Sequence, residues 1–126
     1  MINEELTEKI LSSCFEVINE LGAGFLESVY EKALLITLEE KGLKAKSQVK
    51  LDVYFHEAIV GEFFADIIVE DKVILELKTV KMLAPEHQAQ LINYLKATRY
   101  KLGLLINFGK RKIEYKRLYN PDLQNL

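Results

Sequence analysis

The chain has 126 residues, 49% of them apolar and 29% charged, and a formal net charge of −2. This is the composition of a globular protein, long enough to bury a core as one domain spanning residues 1–126, and no apolar run approaches the ~20 residues of a membrane span. The single cysteine, Cys14, excludes an intrachain disulfide and a multi-cysteine zinc site.

The opening Met1-Ile2-Asn3-Glu4-Glu5 has neither the basic start nor the apolar core of a signal peptide, so a cytoplasmic protein without a membrane segment is expected. Leu6, Ile10, Cys14, Val17, Ile18 and Leu21 recur at helical spacing and predict a helix over about 4–20, stopped by Gly22-Ala23-Gly24. Cys14 falls on that apolar stripe and reads as a small core residue. A second helix is expected over about 26–41, with Leu26, Val29, Tyr30, Ala33, Leu34 and Leu38 inward and Gly42 at its end. Strand patterns follow at about 47–55, 58–69, 73–80, 101–107 and 112–118. A helix from about 85 to 97 lies between the third and fourth, with Pro85 in its first turn. The order ααβββαββ gives an α/β (α+β) fold: a three-strand meander, a helical crossover and a mixed sheet flanked by helices.

Two of those strands carry charge where core is expected. Asp66 follows Phe63-Phe64-Ala65, and Glu76 and Lys78 follow Val73-Ile74-Leu75. Burying an ionised carboxylate without a partner costs several kcal/mol or more. Glu70-Asp71-Lys72 reads as a hairpin turn between the two strands. If the loop is those three residues, Val69 pairs with Val73 and Asp66 lies opposite Glu76, with their Cβ atoms about 4.5–5.5 Å apart. A two-residue loop would send the carboxylates to opposite faces. Phe64, Asp66 and Ile68 are expected to share a face of the first strand, and Glu76 and Lys78 to point the same way as Ile74 and Val80 on the second. A hard cation relieves the repulsion between opposed carboxylates, and such a site beside a lysine suits metal-dependent phosphodiester hydrolysis.

Gln90 and Tyr94 are four apart on the helix that follows, so they share a face. They either orient a phosphate or water, or belong to a half-exposed helix whose tyrosine ring is buried. His87 and His56 read as surface residues. Glu27 opens the second helix on the stripe of Tyr30 and Leu34. It is either a carboxylate favoured by the helix dipole or a third acidic group reaching the metal.

Charge is uneven. Residues 1–43 carry a net −6 and residues 44–126 a net +4. Lys96, Arg99, Lys101, Lys110, Arg111, Lys112, Lys116 and Arg117 face one acid, Glu114, within 96–117. Lys110, Arg111, Lys112, Lys116 and Arg117 are either a phosphate-backbone footprint or the lysine-rich protection of an edge strand.

Asp66, Glu76-Leu77-Lys78 and Gln90-Leu91-Ile92-Asn93-Tyr94, in that order, resemble the PD-(D/E)XK nuclease superfamily, in the RecB-like branch with a Gln-x-x-x-Tyr motif. Gly24-Phe25-Leu26-Glu27-Ser28-Val29-Tyr30 resembles the signature of the GxxExxY family within it. The resemblance runs from about Leu6 to Tyr119, with Ala65 in place of the superfamily's proline. It implies a restriction-endonuclease-like core, with the site where strands diverge. It also implies roles: Asp66, Glu76, the Leu77 carbonyl and Glu27 as ligands of Mg²⁺ or Mn²⁺, Lys78 on the nucleophilic water or the phosphorane charge, and Gln90 and Tyr94 positioning substrate or Lys78. DNA or RNA is then the partner, and so small a nuclease is expected to act as a homodimer or in a larger complex. Two rival readings are a catalytically silent nucleic-acid-binding or assembly module and a structural protein with Lys78 in a buried ion pair. Folds alone do not fix functions.

Overall fold

The computed structural model describes residues 3–123, and Met1 and Ile2 of the acidic start lie outside them. The elements run α1 (Glu4–Leu21), α2 (Glu27–Glu40), β1 (Ala45–Phe55), β2 (Ala58–Val69), β3 (Val73–Lys78), α3 (Pro85–Lys96), β4 (Leu102–Asn107) and β5 (Glu114–Tyr119). This is the expected order, with most boundaries moved by a residue or two. Among the described residues no helix is long and apolar enough to cross a membrane.

The five strands form one sheet in the order β1-β2-β3-β4-β5. Only β3 and β4 are parallel, because the connection between them crosses over through α3. On one face Ile10, Cys14 and Val17 of α1 and Tyr30, Leu34 and Leu38 of α2 pack on Val73, Leu75, Leu77, Leu104 and Ile106. On the other, Leu91, Tyr94 and Leu95 of α3 pack on Ile68, Ile74 and Leu105. Gly103 makes the α3 contact possible: a Cβ there would sit 3.0 Å from three carbons of Leu91. Cys14 is fully buried, as its place on the stripe requires.

The β2–β3 turn has the odd length on which the site depends. Val69 pairs with Val73, Lys72 N–H donates to Val69 O at 2.9 Å, and Glu70 and Asp71 both take positive φ. The register therefore aligns Asp66 with Glu76, but the ladder itself ends at Ile67–Leu75. Beyond it β2 stays with β1 while β3 turns to β4. The long β1–β2 pair continues outward as a two-stranded arm, with a bulge between Val53 and Tyr54.

Strict alternation fails at the same place. Ala65 and Ile68 both pack on the α3 side, whereas Ile67 packs on the α1–α2 side. Phe64, Asp66 and Ile68 therefore do not share one face: Phe64 is exposed and Ile68 buried. The break lies opposite Gln48, which adopts φ 50 between the paired residues Ser47 and Val49. Asp66 occupies the step where the sheet changes which residues it turns toward each helical layer.

Candidate active site

The fork between β2 and β3 is lined by groups that elsewhere would close the ladder. Asp66 N–H points to Glu76 Oε1 at 3.3 Å, and Leu77 N–H donates to Asp66 Oδ2 at 2.7 Å. Side chains have replaced main-chain partners here, so a carboxylate is held at each side of the divergence. Glu76 is only 4% exposed. Burial first, and then the negative charge of Asp66, push its carboxyl up to about 8. Asp66 is raised mainly by burial, opposed by the Leu77 N–H. Glu27 is raised by burial and then by Asp66. Beyond burial, the charge of Asp66 raises both Glu76 and Glu27, so the fork favours a positive charge.

Lys78 lies at the end of β3 on the same side as Glu76. Its Nζ donates to Gln90 Oε1 at 3.3 Å, so the β3 lysine and the α3 glutamine do meet. Tyr94 lies one turn further along α3. Its ring is buried and stacks on Phe63 at 4.0 Å, and its hydroxyl is tied to Gln90. His87 is not a plain surface residue: its Nδ1 accepts the Ala84 N–H at 2.9 Å and closes the start of α3. His56 sits in the arm's turn with φ 57, its ring stacked on Phe55.

Glu27 begins α2 half-buried, within electrostatic reach of Asp66, Lys78 and Glu76. What fixes it is Tyr30. The buried Tyr30 ring stacks on Phe108 at 4.9 Å, its hydroxyl donates to Gly22 O at 2.7 Å, and it accepts the Phe25 N–H at 3.2 Å. Gly24 takes φ 109, a conformation a side chain would strain. Glycine, glutamate and tyrosine at this spacing thus build a loop bolted to the core, with Glu27 at its exit. A polar residue outside the expected set joins the cluster: Gln48 Nε2 donates to Glu31 at 2.9 Å and lies 3.5 Å from Asp66 Oδ1.

Sequence reasoning also missed the support beneath Lys78. Asn107 is fully buried and pairs with Lys78 in the parallel register. Its Oδ1 accepts from Val80 N at 3.0 Å and Gly109 N at 2.8 Å. Its Nδ2 donates to Val80 O at 2.9 Å and Glu114 Oε1 at 3.1 Å. Glu114 Oε1 also accepts the Leu83 N–H at 3.0 Å, and these bonds lower its pKa. Phe108 N–H donates to Lys78 O at 2.8 Å. The segment leaving Lys78 is therefore strapped to β4 and β5. The one available signal was a lone asparagine ending an apolar strand.

The basic residues divide. β5 starts at Glu114 rather than near 112, so Lys110, Arg111 and Lys112 lie exposed in the β4–β5 loop, at the end of the sheet where Lys78 stands. The pattern breaks early because Lys110 to Lys112 offer no apolar alternation for a second strand to use. Lys116 is exposed on β5, while Arg117 is half-buried with Nη1 3.8 Å from Glu4.

Among the described residues no three Asp, Glu, His or Cys side chains converge into a ready metal cage. The oxygen donors at the fork are the two carboxylates, with the Leu77 N–H bonded to Asp66 between them. That hard-oxygen set fits Mg²⁺, which binds through one or two carboxylates and keeps several waters.

Residues 4–118 match the sequence profile of the PD-(D/E)XK nuclease superfamily. The chain belongs to that superfamily. Its fold agrees. The crystal structure of SSO0001 superposes with a TM-score of 0.59 at 18% identity, covering 94% of this chain and 60% of that one. The alkaline exonuclease LHK-Exo from Laribacter hongkongensis gives a TM-score of 0.52 at 12% identity, covering 94% of this chain and 84% of that one. The chain thus spans well under the full length of SSO0001. No curated protein matches it.

Proposed function

We propose that this PD-(D/E)XK protein is a metal-dependent nuclease that hydrolyses phosphodiester bonds in DNA or RNA. The observation that carries the reading is the fork itself, where Asp66, Glu76 and Lys78 stand together and Gln90 reaches the lysine. Asp66, Glu76 and the Leu77 carbonyl would hold Mg²⁺ or Mn²⁺, with Glu27 facing the same ion from α2. The bound ion lowers the pKa of its water and offsets charge on the phosphate. The protein's own part is positional. Gln90 holds Lys78 Nζ toward the fork, and the stacked Tyr94 ring fixes Gln90's turn of the helix. Lys78 Nζ would then have N–H groups to donate as hydrogen bonds, orienting the attacking water or meeting a phosphoryl oxygen as negative charge grows there. Lys110, Arg111 and Lys112 extend positive charge from this end of the sheet toward the phosphate backbone.

The Tyr30-braced loop supports placing the chain in the GxxExxY branch, and the Gln90–Lys78 contact supports the RecB-like motif assignment. One catalytic domain in 1–126, acting as a homodimer or inside a larger assembly, completes the reading.

The test begins with calorimetric titration of Mn²⁺ into wild type and into an Asp66→Asn/Glu76→Gln double variant. Labelled DNA and RNA are then assayed in Mg²⁺, in Mn²⁺ and in EDTA. The reading expects metal binding that the double variant loses, and cleavage that EDTA stops. Cleavage that persists in EDTA sinks it. Nucleic-acid binding with no cleavage in any metal leaves the binding-module reading in its place.

A further inference from the structure

We propose that the rim of this site is built for unpaired nucleotides, so that the ligand is a single strand of DNA or RNA rather than a closed duplex. The inference rests on the nuclease reading for where the phosphate sits, but its own observation is different. Phe25, Leu26 and Phe64 are 47%, 76% and 49% exposed. Leu26 directly precedes Glu27 and Phe64 lies two residues before Asp66, so exposed apolar residues on two separate elements stand within two positions of a carboxylate in the chain. Phe64 projects from β2 on the face opposite its neighbours Phe63 and Ala65, which pack on the α3 side. It therefore stands on the α2 side, as Leu26 does.

This exposure is constructed rather than incidental. The Tyr30 hydroxyl bridges Gly22 O and Phe25 N, and the Phe25 ring meets Tyr30 edge-on at 6.2 Å. Those bonds fix the loop backbone up to Phe25, the residue before Leu26. Holding apolar groups in water has no folding benefit, since burying them would favour the fold.

Charge selects the occupant. Lys50, opposite Phe64 in the ladder, is engaged by Glu62 at 3.1 Å and Asp52 at 3.7 Å. The cations of the β4–β5 loop stand across the site, beyond Lys78. A duplex presents phosphate on every side, about one charge per 1.7 Å of axis, with its bases stacked inside. It would set sugar–phosphate against the apolar side chains of Phe25, Leu26 and Phe64. A single strand instead offers base faces to the aromatic rim and phosphates to the basic loop, the division of labour of single-strand binders.

The test is fluorescence anisotropy in EDTA, using a labelled mixed-sequence oligonucleotide as a single strand and as its duplex. Wild type is compared with Phe64→Ser and Leu26→Ser, exposed positions whose variants are first checked by melting. The single strand should bind at least ~10-fold tighter than the duplex. Phe64→Ser should weaken single-strand binding by roughly 5- to 150-fold, the loss of one stacked base, with the salt slope unchanged. Equal or tighter duplex binding, or variants that bind as wild type does, overturns the inference. Cleavage is scored separately. Rim-dependent single-strand binding without cleavage keeps the rim and sinks the nuclease reading. Duplex-only cleavage unaffected by both variants does the reverse.

Discussion

Asn107 closes a two-bond clamp on Val80: its amide accepts the Val80 N–H at 3.0 Å and donates to the Val80 carbonyl at 2.9 Å. The same side chain reaches Gly109 N and Glu114, so one buried amide ties the exit from the lysine strand to the two strands that follow. Asn107→Ala leaves several of these groups without partners, and each buried orphan costs about 1–3 kcal/mol. Urea unfolding should show a loss of roughly 2–4 kcal/mol, with cleavage reduced beyond what the remaining folded fraction explains. A variant as stable as wild type removes the clamp from this account.

Gly109→Ala tests the same contact from the other side. A Cβ at 109 would collide with the Val80 carbonyl oxygen and nitrogen, backbone atoms that cannot rotate away. We expect destabilisation of about 1–3 kcal/mol, measured by thermal melting, where an unconstrained loop glycine would gain slightly from alanine.

Lys78 separates fold from chemistry. It is half-exposed at a strand end, so Lys78→Ala should change stability by less than about 1 kcal/mol. Cleavage should fall by roughly 100- to 1000-fold, as when a group serving the developing charge is removed. Retention of wild-type turnover in a metal-supplied assay would show that another group supplies that charge.

Glu76 makes stability depend on pH in a direction opposite to that of most carboxylates. Its folded pKa, about 8, lies above the ordinary 4.5. The group therefore favours folding while protonated. Its contribution is full below about pH 4.5, falls as pH rises, and is absent above about 8. Glu76→Gln removes this dependence. In EDTA the stability of the variant relative to wild type should increase between about pH 5 and about pH 9, read by urea midpoints. A difference that stays constant across that range contradicts the shift.

Much of the site was legible because charge within an apolar strand is hard to explain by packing. Asp66, Glu76 and Lys78 identified themselves in this way, and the three-residue turn set their register. The divergence after Ile67 was not legible from spacing, since alternation assumes that the strand keeps one neighbour on each side. The positive φ at Gln48, and the face change it accompanies, depends on tertiary contacts with Glu31 and Asp66. Asn107 escaped notice for a similar reason. A buried amide declares a role only through its partners, and those lie 27 residues upstream and 7 downstream.

The strap on Lys78 has a consequence for the order in which the fork is assembled. Asp66, Glu76 and Lys78 are all complete by residue 78, yet the groups that hold the segment after Lys78 belong to β4, its following turn and β5. A nascent chain carries the side chains of the fork well before it can fix them. The ordered site arrives with the final hairpin, so truncation within β5 should yield a protein that retains the carboxylates but leaves the lysine's strand end unsecured.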